Sequence, residues 1–155
     1  MKVIETALKE LGVTENPPQS NIVKYNTWFY NKEVKGKQYA WCGTFVSWCF
    51  AFSGLQLGVI DYLKGFAGCP YAVKHINKWG RLVTVPKEGD VVFFDWNGDG
   101  IFDHTGIFIK DLGKGMFESI EGNTAIGNDS NGGSVMIRQR AYKFAIFVRP
   151  KCLEK

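Results

Sequence analysis

The chain reads as an α+β fold, with helices first and an antiparallel sheet second. Apolar residues recur at helical spacing up to Gly80, short β-rich runs follow it, and Gly, Asp and Asn clusters separate those runs. With 155 residues there is chain enough for one core, so residues 1–155 are expected to form a single domain.

In the first segment Ile4, Ala7, Leu8 and Leu11 recur at helical spacing, and Gly12 supplies a stop. The paired prolines of TENPPQSN break that pattern, and part of IVKYNTWFY forms a second, short helix before the polar loop NKEVKGKQ. From Cys42 to Phe52 apolar residues cover nearly every face, which marks a buried helix with Cys42 in its first turn. A further helix is expected from Pro70 through Tyr71, Val73, Ile76 and Trp79 to Gly80. Five or six strands follow, in RLVTV, DVVFFDW, HTGIFIK, GMFESIEG, GSVMIRQR and AIFVRP.

Composition narrows the function. Aromatic residues make up 15% of the chain and glycines number 18, which suits a compact, turn-rich fold and excludes disorder. The net charge is +4, and the basic residues are spread along the chain, a distribution suited to an anionic surface and not to sequence-specific nucleic acid. No apolar run approaches the ~18 residues of a membrane span, so no membrane insertion is expected. The opening MKVIETALKE reads as an amphipathic helix, not a signal peptide, so synthesis in the cytoplasm and export by another route are expected. Cysteines at 42, 49, 69 and 152 lack the CxxC spacing of zinc or redox sites and the density of a disulfide scaffold; reduced thiols are expected.

A cysteine at a helix N-terminus lies at the positive end of the helix dipole, which favours thiolate. Cys42 has that position. Cys49 lies two turns deeper, about 10.5 Å along the axis at 1.5 Å per residue, too far for a disulfide and suited to packing. Cys69 also begins a helix and is the fallback nucleophile, although Pro70 removes an N–H donor there.

A thiolate nucleophile needs a base, and the chain has two histidines. His75 lies among lysines in a helical pattern and reads as a surface or half-buried residue. His104 opens a strand that turns through DLGK into GMFESIEGN. Pairing Lys110 with Gly115 sets His104 opposite Glu121, where a carboxylate fixes the imidazole tautomer. Asn123, two residues on, is the alternative orienting residue. The spacing thus proposes Cys42, His104 and Glu121 or Asn123, with the Cys42 backbone N–H as oxyanion donor.

The segments YAWCGTFVSWCF, EGDVVFFDWNGDGIFDHTGIFI and IEGNT, in that order, resemble the CHAP domain, the cysteine- and histidine-dependent amidohydrolase/peptidase domain of phage endolysins and bacterial cell-wall hydrolases. The likeness extends over essentially the whole chain. Trp41-Cys42 matches the family's aromatic-Cys pair, Asp103, His104, Gly106 and Ile107 its Asp-His-x-Gly-Ile strand, and Glu121, Gly122 and Asn123 its Glu-Gly-Asn. The resemblance implies a papain-like fold and hydrolysis of an amide bond in bacterial peptidoglycan after release from the cytoplasm. That chemistry requires no cofactor.

DWNGDGIFD carries a second pattern. Asp95, Asn97, Asp99 and Asp103 stand at positions one, three, five and nine of an EF-hand-type loop, with Gly100 at six and the Ile101 carbonyl at seven. Hard oxygen donors at alternate positions around a glycine turn suit structural calcium, although Gly106 replaces the glutamate at position twelve. Some family members bind calcium through acids just before the nucleophile, where this chain has NKEVKGKQ. Among the aromatics, Tyr39 and Trp41, beside the nucleophile, are expected to line the substrate groove. The rival readings are a secreted amidase toxin or autolysin with the same chemistry, and a calcium-dependent wall-binding module without catalysis.

Overall fold

The computed structural model describes residues 1–154. Five helices, α1 (Lys2–Leu8), α2 (Lys24–Tyr30), α3 (Cys42–Phe52), α4 (Cys69–Lys74) and α5 (Ile76–Trp79), precede six strands. The strands are β1 (Gly80–Val83), β2 (Val91–Phe94), β3 (His104–Gly113), β4 (Met116–Thr124), β5 (Ser134–Ala141) and β6 (Ala145–Pro150). They form one antiparallel sheet in the order β1-β6-β2-β3-β4-β5, the α+β architecture expected of a papain-like domain. Among the described residues no helix is long and apolar enough to cross a membrane.

α3 has the bounds expected of it, Cys42–Phe52, whereas the first and last helices are shorter than the hydrophobic spacing implies. α1 ends at Leu8, and Leu8 and Leu11 are exposed, because the chain turns early so that the Gly12 N–H can reach the Val135 carbonyl. The expected helix from Pro70 to Trp79 is two, interrupted at His75, whose backbone leaves the helical region and whose ring lies tilted against Tyr71 at 4.3 Å between centroids.

The sheet is apolar on both faces. Val91, Phe93, Ile107, Ile120 and Val148 pack under α1 and α3, forming the main core with Phe45, Val46, Cys49 and Phe50. Val92, Phe94, Phe108, Phe117 and Phe147 form a smaller aromatic core on the far face, closed by Tyr142, Phe144 and Trp96 instead of a second helical layer. Strand alternation alone sends these two sets to opposite sides.

α3 lies directly on β4 because Gly122 has no side chain. A Cβ there would come within 2.7 Å of Phe45 Cβ and 2.9 Å of the Trp41 ring, closer than carbon atoms approach. Polar groups then fasten the entry to α3. Trp41 Nε1 donates to Glu15 Oε1 at 3.1 Å, Thr44 Oγ1 to Asn26 Oδ1 at 2.7 Å, and Asn26 Nδ2 to the Tyr39 carbonyl at 2.8 Å, all in buried or partly buried surroundings. Each of these groups would cost free energy if left unpaired, so together they specify where the helix begins.

The β3–β4 hairpin differs from its expected register. Lys110 lies opposite Glu118, not Gly115, and the turn is the pair Lys114-Gly115, both with positive φ, as a two-residue hairpin loop requires. Farther along, Ile107 pairs with Ile120, and one more step sets Gly106 beside Glu121. The displacement from the expected pairing is three residues at Lys110 but, past the irregularity between Phe108 and Lys110, two at the His104 end, so the side chains there keep the faces they were expected to have.

Candidate active site

Cys42 is the first residue of α3, and its thiol lines a cleft of about 440 Å³ bounded by Tyr30, Gln38, Asp61, Cys69, Phe102 and Asp103. His104 begins β3 and is fully buried, its ring stacked on Phe94 at 5.8 Å. Glu121 Oε1 lies 2.8 Å from His104 Nε2. The carboxylate crosses to the ring over Gly106, where an added Cβ would sit 2.6 Å from Glu121 Cγ. The two-residue register difference therefore does not break the His104–Glu121 pair; the missing side chain opens its path.

The second nitrogen of the ring, Nδ1, is buried and makes no hydrogen bond among the described residues. Cys42 is close enough for thiol and ring each to shift the other's protonation, without a closed hydrogen bond between them. A hydrogen bond from the Cys69 thiol, His104 and the Thr105 backbone amide hold the Cys42 thiol well below its ordinary range, against the opposing effect of burial. Burial alone would lower the His104 pKa, but Cys42 and Glu121 push it up to about 9. The arrangement therefore favours a thiolate beside an imidazolium at neutral pH.

Glu121 is fully buried, and burial would raise its pKa; Arg140 and His104 instead hold it down at about 2. Arg140 grips it with two donors, Nε to Oε2 at 2.9 Å and Nη2 to Oε1 at 2.6 Å, and Ser119 Oγ donates to Oε2 at 2.5 Å. The guanidinium is itself braced by Asp129 Oδ1 at 2.7 Å and lies 4.8 Å from the Trp96 ring centroid. Sequence reasoning missed Arg140. Its one signal was a basic residue in the strand that pairs with β4, and nothing local distinguishes it from the neighbouring Arg138.

Asn123 does not reach His104. Its backbone has φ of 58°, which breaks the strand alternation, and its side chain is taken up by Asn131 Oδ1 at 3.2 Å and the Gly133 N–H at 3.0 Å. Trp41 departs from its expected place on the groove wall: its ring is fully buried, stacked on Tyr25 and bonded to Glu15, so it anchors the helix start. Tyr39 is half-buried behind Tyr30, with its ring edge-on at 5.2 Å, and Tyr30 is the one of the two that lines the cleft. Cys49 is fully buried, and burial pushes its thiol up, as expected of a packing residue. The Cys69 thiol is also raised, first by its hydrogen bond to Cys42 and then by burial.

In the loop before His104, the carboxylates of Asp95, Asp99 and Asp103 converge, with one oxygen from each lying within 4.8 Å of the others. Asp95 also accepts the Gly98 and Gly100 N–H groups at 3.0 and 2.8 Å, and Asn97 and Asp99 accept N–H groups two residues on. Burial, followed by the charges of Asp99 and Asp95, raises the pKa of Asp103. Gly106, at position twelve of the expected loop, lies inside β3 and offers no ligand.

A family model described as the CHAP domain matches residues 34–123, more than half of the chain, including Cys42, His104 and Glu121. No curated protein matches the chain.

Two outcomes follow from this geometry. The rate of Cys42 alkylation by iodoacetamide, followed against pH, should stay high through neutrality and change with a midpoint near 9, where the His104 imidazolium deprotonates; one midpoint at an ordinary thiol value would rule out the ion pair. Arg140→Gln should lower unfolding stability by about 3 kcal/mol in urea titrations, because it strands a buried carboxylate. Asp129→Asn, which leaves Glu121 paired, should cost much less.

Proposed function

The chain belongs to the CHAP domain family of peptidoglycan hydrolases, and on that footing we propose that it is an endolysin-like cysteine hydrolase of the bacterial cell wall. It cleaves an amide bond, as an N-acetylmuramoyl-L-alanine amidase or a peptidoglycan endopeptidase. The observation that carries this reading is the hydrogen-bonded pair His104–Glu121 set beside a cleft-lining, acidified Cys42 thiol.

The Cys42 thiolate attacks the substrate carbonyl, forming a carbon–sulfur bond and moving the carbonyl electrons onto oxygen. The oxyanion is met by the Cys42 backbone N–H at the helix start, and Gln38 carries the one side-chain amide on the cleft wall able to supplement it. The His104 imidazolium then gives a proton to the leaving amine as the carbon–nitrogen bond breaks. A water molecule, deprotonated by the now neutral His104, attacks the thioester; the carbon–sulfur bond breaks, the acid is released, and the Cys42 thiolate and His104 imidazolium are regenerated. Glu121 keeps the ring oriented throughout, and Arg140 keeps Glu121 ionised.

The enzyme is proposed to be made in the cytoplasm and to act on the wall after release. The chemistry itself requires no metal. The loop Asp95–Asp103 is proposed to hold a structural calcium ion through Asp95, Asp99 and Asp103, with Asn97 and the Ile101 carbonyl completing the oxygen set; the convergence of three carboxylates supports that fit. Such an ion would offset their mutual repulsion and stiffen the loop that ends at His104.

Digestion of purified sacculi, with mass spectrometry of the products, tests the main reading. A new L-alanine N-terminus identifies an amidase, and a new amine on a stem or bridge residue identifies an endopeptidase. Cys42→Ala should lower the rate by about three orders of magnitude or more with the melting temperature little changed; lysis as fast as the parent's would leave a non-catalytic wall-binding module. Added calcium should raise the melting temperature, and an unchanged Tm would remove the metal from the account.

A further inference from the structure

One buried nucleophilic group forms and breaks no bond in this chemistry and contributes only a hydrogen bond to Cys42. Cys69 Sγ lies 3.9 Å from Cys42 Sγ, and the two thiols share one cleft wall. Their approach is built into the backbone. Gly43, the residue after Cys42, faces the segment leading to Cys69 so closely that a Cβ would meet the Ala67 carbonyl oxygen at 2.6 Å. That segment is clamped. The Asp61 carboxylate accepts the Ala67 and Gly68 N–H groups at 3.1 and 3.0 Å, and Ser47 of α3 accepts the Phe66 N–H at 3.0 Å. Cys42 and Cys69 are each the first residue of a helix, so both side chains leave a fixed backbone position.

We propose that Cys42 and Cys69 form an oxidisable dithiol, in which a hydroperoxide converts the nucleophile into a Cys42–Cys69 disulfide that is inactive and recoverable. The proposal rests on the reading above in taking Cys42 as the nucleophile. A disulfide has sulfurs about 2.05 Å apart, so closure from 3.9 Å needs an approach of about 1.9 Å.

The steps balance with the hydroperoxide as oxidant. The Cys42 thiolate attacks the outer peroxide oxygen, the O–O bond breaks, and the alkoxide or hydroxide leaves with a proton, giving Cys42 sulfenic acid. Cys69 sulfur then attacks the Cys42 sulfur, the S–O bond breaks, and the hydroxyl leaves with the Cys69 proton as water. Two equivalents of a small thiol reverse the bond and are themselves oxidised to their disulfide. The low thiol range of Cys42 favours the first step there over Cys69 or Cys49. The cleft supplies the entry path.

The full chain is treated with hydrogen peroxide, quenched, and analysed by intact mass and peptide mapping, with lysis of sacculi measured before and after dithiothreitol. The expected product has lost two hydrogens, carries a Cys42–Cys69 cross-link, is lytically silent, and regains its starting rate on reduction. Cys69→Ser should instead gain oxygens at Cys42 and lose its activity irreversibly. A parent protein that also gains oxygens at Cys42 and forms no cross-link overturns the proposal. A cross-link formed and reduced in a protein that never cleaves sacculi supports the dithiol while sinking the hydrolase reading, so the two failures are distinguishable.

Discussion

A carboxylate sealed from water is the constraint on which the rest of this structure depends. Glu121 is fully buried, and an ionised group there would be prohibitively costly without partners. Its oxygens accept from His104, Ser119 and twice from Arg140. Three of these groups come from other positions in the sheet, on β3, β4 and β5, so the charge can be satisfied only when those strands are in register. Once satisfied, it fixes the ring, and the ring joins the Cys69 hydrogen bond in holding the Cys42 thiol low.

Much of this was legible in the sequence. The helix-then-sheet order follows from periodicity, and the buried character of α3 follows from apolar residues on all its faces. Cys42 and His104 stand at the starts of their elements, where local signals such as Gly and the preceding loop are strongest. The pairing of His104 with Glu121 was also reachable, because strand alternation tolerates a displacement of two residues without changing faces.

What was not legible depends on contacts between distant segments. The Lys114-Gly115 turn and the bulges in β3 set a register that a count along the chain could not supply. Trp41 looked like a groove residue from its place beside the nucleophile, yet Glu15, twenty-six positions earlier, draws its indole into the core. Asn123 shares a motif with Glu121, but a left-handed backbone turns its amide toward the 131–133 segment. Arg140 carries no local mark of its position, and Cys69, marked as a helix start, carries none of its meeting with Cys42. Only the assembled sheet and the close passage at Gly43 bring them to Glu121 and Cys42.

Arg140 lies seventeen positions beyond Asn123, where the family match ends. A polypeptide emerging from the ribosome therefore presents Cys42, His104 and Glu121 well before it can balance the charge that organises them. Until β5 docks, Glu121 lacks both Arg140 donors, so the carboxylate that orients the His104 ring is without its guanidinium counter-charge. The setting that makes this sulfur reactive thus arrives with the docking of β5, and not with the making of the three residues that the motif names.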